Sequence, residues 1–189
     1  YKMRADNQNA NSNSYGQGFV TELGAGKKIL TFGGSTAEAV LDSATTQYAD
    51  NDIIAYAGEL DVSVPDGYNA ATKILIEKIV FCCSTAAGAT FVGNISAGTA
   101  ANEALNGAAT GQVELFGAGA TYRNANLAAD LSITEVDVDF NTAGIMWAQP
   151  LIILPVATKY IYVCTTTTIT HATNYDAGRY NLQVEYSVM

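Results

Sequence analysis

At 189 residues, with 49% apolar and 14% charged residues, the chain reads as one globular domain long enough to bury a proper hydrophobic core. Nine basic against eighteen acidic residues give a net charge of −9, which repels phosphate backbones and argues against nucleic-acid binding. The apolar stretch 144–163 is broken by Gln149, Pro150, Pro155 and Lys159, so no membrane span is expected.

Residues 1–18 are poor in aliphatics and dense in Asn, Ser, Gln and Gly, a composition that cannot bury enough surface to order itself. They are expected to form an extended N-terminal arm that crosses onto another subunit, with Lys2 and Arg4 giving its tip a slight positive bias. The sequence opens on Tyr1 rather than Met, which leaves a removed leader open. The remainder, 19–189, is expected to be a single β-sandwich domain.

Strand signals then follow in order. Segments 19–23 and 28–32 flank the turn-like Gly24-Ala25-Gly26, and 53–57 and 60–64 are closed by Pro65-Asp66-Gly67. Segment 73–83 carries Ile74, Leu75, Ile79 and Val80, which could mark a helix face. Its β-branched and aromatic content favours a buried strand. Shorter strands are expected at 89–95 and 112–116, around an Ala-rich loop at 97–111 with a helical turn near 102–105. In 130–140 the apolar parity switches between Ile133 and Val136, which predicts a bulge near Thr134-Glu135. Segments 151–154 and 160–171 are apolar or Thr-rich on both parities, as central strands are. In 179–188, Tyr180, Leu182, Val184, Tyr186 and Val188 alternate with polar residues, which predicts a strand with one wet face. Many strands, frequent Gly turns, no long helical pattern and no fixed-period repeat predict an all-β antiparallel sandwich of about eight to ten strands.

Catalytic signals are sparse. The single histidine, His171, ends a Thr-rich strand, and Gly93-Asn94-Ile95-Ser96-Ala97-Gly98 misses the nucleophile-elbow spacing by one residue. Gly24-Ala25-Gly26-Lys27-Lys28 lacks the distant glycine and the hydroxyl residue of a phosphate loop, and suits a hairpin turn. Cys82, Cys83 and Cys164 are odd in number and include an adjacent pair, which fits small buried hydrophobes in a reducing compartment. The chain is therefore read as non-enzymatic. Glu135, Asp137 and Asp139 share one strand face, where carboxylates two residues apart can share a hard cation. They are either a solvated face or a Ca2+ site, and no other cofactor is expected. Tyrosine, with a large apolar area and a polar tip, suits interfaces. Tyr15 in the arm, with Tyr56, Tyr68, Tyr122 and Tyr175 at expected strand ends or loops, are candidate partner contacts alongside Lys2 and Arg4. Trp147, between apolar residues just before Pro150, is expected in the core.

From Leu60 onward one order of features stands out. It comprises Leu60-Asp61-Val62-Ser63-Val64-Pro65-Asp66-Gly67, the segment 73–81 and Gly88-Ala89-Thr90-Phe91-Val92-Gly93, then a small-residue stretch after Ser96. Ile152-Ile153-Leu154-Pro155 running into Tyr160-Ile161-Tyr162-Val163 comes next, and Ala177-Gly178-Arg179-Tyr180-Asn181-Leu182-Gln183-Val184-Glu185-Tyr186 closes it. This order resembles the jelly-roll decoration, or cement, proteins of tailed-bacteriophage heads; the region before Asp50 carries no part of it. The resemblance is one of strand and turn rhythm, without an invariant chemical motif. It implies a jelly-roll sandwich on the outer capsid surface of a virion, assembled in the host cytoplasm. Its expected partners are the major capsid protein and copies of itself as a homotrimer. Such modules also occur in head fibres and tail parts, so a receptor- or glycan-binding role is the alternative.

Overall fold

A computed structural model describes residues 4–5, 18–24, 26–35, 52–64, 67–85, 92–101, 103, 107–116, 138–139, 144–165 and 179–189. Within them the chain is all β. The strands are β1 (Arg4–Ala5), β2 (Phe19–Gly24), β3 (Lys27–Ser35), β4 (Ile53–Glu59), β5 (Lys73–Thr85) and β6 (Val92–Gly98). They continue with β7 (Val113–Phe116), β8 (Val138–Asp139), β9 (Gly144–Ala148), β10 (Ile152–Pro155), β11 (Tyr160–Thr165) and β12 (Arg179–Val188). Twelve strands among the described residues exceed the eight to ten expected; β1 falls in the expected arm and β9 gave no sequence signal, while β8 lies within the expected 130–140.

Two antiparallel sheets pack face to face. One runs β1-β2-β3-β12-β5-β10, with β9 also on β5; the other runs β4-β11-β6-β7, with β8 also on β6. The alternation of β12 explains its central place. Tyr180, Leu182, Val184 and Tyr186 are buried facing the other sheet, while Arg179, Asn181 and Gln183 are exposed. They meet Ile54, Ala55, Ile95, Ala97, Ile161 and Val163 from the five-stranded sheet, with Leu30, Phe32, Ile74, Ile76, Ile79 and Phe81 beside them. The β2–β3 hairpin turns through Gly24 (φ 101°) and Gly26 (φ 77°), a backbone that glycine adopts without a side-chain penalty.

The five-stranded sheet is covered on its outer side as well. Along β11, Ile161 and Val163 belong to the main core, whereas Tyr162 and Cys164 join Ile53, Tyr56 and Ala109 in a second cluster on the opposite face. The chain after β6 straps over that face. The Tyr162 hydroxyl donates to the Ala100 carbonyl and accepts from the Glu103 N–H (3.4 Å). The Glu103 carboxylate accepts from the Thr110 N–H (2.7 Å), and Ile53 N–H donates to the Gly107 carbonyl (2.9 Å). Burial pushes the Tyr162 phenol up to about 12, so it remains a donor at physiological pH.

Some expectations change in the structure. Segment 60–64 is not a strand. Leu60 N–H donates to the Lys159 carbonyl, Ser63 N–H donates to Asp61 Oδ1 (2.9 Å), and the Tyr186 hydroxyl donates to the Asp61 carbonyl (3.2 Å). These local and side-chain partners satisfy backbone groups that a ladder would otherwise take. β10 is an edge strand rather than a central one. At Arg4–Ala5 the N-terminal segment lies on this chain's own sheet, with Arg4 opposite Val20 and Ala5 opposite Phe19. The rest of the arm before Gly18, the bulge expected near Thr134-Glu135 and most of the turn expected near 102–105 lie outside the described residues.

Lys28 sits in the inward-facing row of β3, yet is 1% exposed. Its ammonium donates to the Ser63 carbonyl (2.7 Å) and hydroxyl (3.1 Å) and pairs with Asp61 at 3.1 Å, closing one end of the sandwich. Burial opposes the charge on Asp61. Hydrogen bonds from Ser63 and the Lys28 ammonium outweigh it and hold the carboxyl below its ordinary 3.8. A depressed carboxyl stabilises the fold above its unfolded-state value. That contribution is lost as pH falls through the ordinary value towards the lower folded one. Asp61→Ala is expected to cost about 2 kcal/mol at neutral pH, because it strands the Lys28 charge. Denaturant unfolding should show the gap between wild type and variant narrowing at pH 3; a gap that stays constant would contradict the pairing.

Candidate partner-binding edge

The outer face of the seven-stranded sheet divides into a polar part and an apolar part. On the polar side, Lys27 bridges Glu77 and Glu185, each at 2.7 Å, and the Ser187 hydroxyl donates to Glu77. Hydrogen bonds from Lys27 and Ser187 hold the Glu77 carboxyl below its ordinary value.

The apolar part lies where β5 meets its split edge. β9 pairs with one half of β5, placing Ile145 opposite Cys82 and Trp147 opposite Val80; β10 pairs with the other, placing Ile153 opposite Leu75. Between them, a register shift near Glu185/Tyr186 puts an extra residue into β5, and the edge breaks at Gln149-Pro150-Leu151. Proline is tolerated there because an edge strand has one side free of the ladder. Leu151 has φ 50°, the one positive value for a non-glycine among the described residues. Ile145 is 68% exposed, Leu151 53% and Ile153 57%, with Leu75, Val80 and Cys82 half-buried behind them. By strand geometry the strip is roughly 20 Å long. Residues 144–158 contain no charged side chain.

Trp147 is not in the core. It is half-buried on the outer face of β9, with the Lys78 ammonium 5.4 Å from the ring centroid. Both parities of β9 are apolar, with Met146 and Ala148 inward and Ile145 and Trp147 outward, so the sequence alone could not assign its faces.

The other candidate contacts are not brought together. Tyr56 is mid-strand in β4 and 8% exposed, its ring 5.3 Å from that of Tyr162, because the strap covers that face; it is no surface contact. Tyr68 does stand on the surface, 75% exposed, just after the turn at Gly67. Arg4 is placed by its backbone alone, and Lys2, Tyr15, Tyr122 and Tyr175 lie outside the described residues. Of the candidate Ca2+ ligands, Asp139 pairs through its backbone with Val92, while Glu135 and Asp137 lie outside the described residues, as does His171. Among the described residues no group of three His, Cys, Asp or Glu side chains could hold a metal ion.

All three cysteines are free; Cys83 and Cys164 are buried as expected, whereas Cys82, on the opposite face of β5 from Cys83, is only half-buried. Burial pushes the Cys164 thiol well above the ordinary range, with Glu114 and Asp52 adding to the effect and a Ser96 hydrogen bond opposing it. It stays protonated and poorly nucleophilic. Compared with known proteins, the chain matches no family model, no curated protein and no solved structure.

Because the chain has a single tryptophan, its fluorescence reports this edge directly. Native emission is expected between the core and fully solvated limits and open to acrylamide quenching, with Lys78→Ala increasing the quenching. Blue-shifted, unquenched emission would place Trp147 in the interior and remove the edge described here.

Proposed function

We propose that the chain is a non-enzymatic virion structural protein that decorates the outside of an icosahedral bacteriophage head and stabilises it by bridging capsid subunits. On this reading its partners are the major capsid protein and further copies of itself. The observation that carries the proposal is the exposed apolar edge of β9 and β10, a surface that no described segment covers. Contiguous apolar surface of this kind marks protein contact sites. The strand order adds support. β3-β12-β5-β10 facing β4-β11-β6-β7 has the interleaving of a jelly roll, in which β3 to β4, β5 to β6 and β11 to β12 each pass from one sheet to the other. An acidic chain with only 14% charged residues suits a surface covered by protein rather than by nucleic acid.

A receptor- or glycan-binding module is the second reading, and the half-exposed Trp147 with Lys78 beside its ring favours it. Particles prepared with and without the protein separate the two. A ligand that binds only the assembled state stabilises it, so occupancy is expected to raise the temperature at which shells rupture while leaving host adsorption unchanged. Equal rupture temperatures together with lost adsorption would reject decoration in favour of recognition.

A further inference from the structure

We infer that segment 107–112 is a releasable cover, latched by Glu103 and Gln112, that lifts off the five-stranded sheet as a unit while the sandwich stays folded. What the cover hides supplies the first observation. Ile53, Tyr56, Tyr162 and Cys164 form a buried cluster on the outer face of that sheet, and Ala109 is its one member outside the strands. Among the described apolar residues, a single methyl group therefore closes a face that carries two tyrosine rings 5.3 Å apart. The strands beneath pair with one another as β4-β11-β6-β7, so raising the segment breaks none of their ladders.

Its fastenings supply the second. The backbone is tied down where Ile53 N–H donates to the Gly107 carbonyl (2.9 Å) and Thr99 N–H donates to the Thr110 carbonyl (2.8 Å). Side chains supply the latches. The Glu103 carboxylate accepts from the Thr110 N–H (2.7 Å) and from the Thr110 hydroxyl, and both contacts are open to water. Gln112 donates through Nε2 to the Ser96 hydroxyl (3.0 Å) and accepts at Oε1 from the Ala109 N–H (3.3 Å). Gly107 starts the segment, and Gly111, at φ 64°, turns it towards β7.

Hydrogen bonds that water can replace hold a segment weakly, and a segment with little buried apolar surface opens at lower free energy than the core beside it. Segment 107–112 meets both conditions, whereas the sandwich core is aliphatic and aromatic throughout. Gln112 rests on Ser96, and Ser96 bonds to Cys164, so lifting the segment brings the Cys164 thiol to solvent together with Tyr162. The device lies on the opposite sheet from the β9–β10 edge and is independent of the decoration reading.

The Cys164 thiol reports the opening. In a chain carrying Cys82→Ala, which removes the half-buried thiol, alkylation by N-ethylmaleimide is followed peptide by peptide at Cys164 and at Cys83 in the main core. Trp147 fluorescence, on the other sheet, reports unfolding of the sandwich. Cys164 is expected to react about tenfold or more faster than Cys83, at a rate that low denaturant hardly changes, because the opening exposes little surface. Glu103→Ala and Gln112→Ala should each speed modification of Cys164 by about fivefold or more, with the Cys83 rate and the melting temperature unchanged. Cys164 that reacts no faster than Cys83, with the same denaturant dependence, overturns the inference. So does either variant if it leaves the Cys164 rate unchanged or speeds both thiols in step.

Discussion

Tyr180, Leu182, Val184 and Tyr186 form one fully covered row on β12, and the two-sheet arrangement depends on keeping that row dry. Because side chains alternate along a strand, a slip of one residue against β3 or β5 would expose the whole row and bury Arg179, Asn181, Gln183 and Glu185. The register is therefore fixed by burial on one face and solvation on the other. It carries through β5 to the edge, so the positions of Ile145, Trp147 and Ile153 follow from the demand made by β12. The bulge in β5 is a local exception that lets Glu77 reach Lys27 and Ser187 on the outside.

The two sheets manage their outer faces differently. The five-stranded sheet carries apolar and aromatic residues there, Ile53, Tyr56 and Tyr162, and the chain after β6 covers them with hydrogen bonds that satisfy the strap's own backbone. The seven-stranded sheet has polar side chains along β12, but no described segment covers the aliphatic residues at its β9–β10 edge. Among the described residues, one layer is covered on both faces, and the other ends in an exposed apolar edge.

Much of the fold was legible because alternation is a strong signal where one face is wet. β12 was assigned from its pattern alone, and the apolar first half of segment 160–171, which is β11, was read correctly as central. The same signal misled at β10. Apolar residues on both parities implied layers on both sides, whereas the outward-pointing Ile153 faces solvent at an edge. Pro150 and Pro155 were the available clue, since proline in a strand run belongs to an edge. Tyr56 failed for the opposite reason: its cover comes from residues about fifty positions later in the chain, which local composition cannot reveal. Lys28 and Asp61, 33 residues apart in sequence, were likewise invisible as a pair.

An uncovered apolar edge has a direct physical signature, because the amides of β9 and β10 that point away from β5 lack the protection that strands on both sides give to β11 and β12. Hydrogen exchange read segment by segment, in dilute and concentrated solution and again on particles, measures this most directly. Amides of β11 and β12 should exchange slowest throughout. Within 144–148 and 152–154, the amides that point away from β5 should exchange rapidly in dilute solution and slow by about tenfold or more when copies or particles are present. Edge amides that exchange at the same rate in all three conditions would contradict a partner-facing edge.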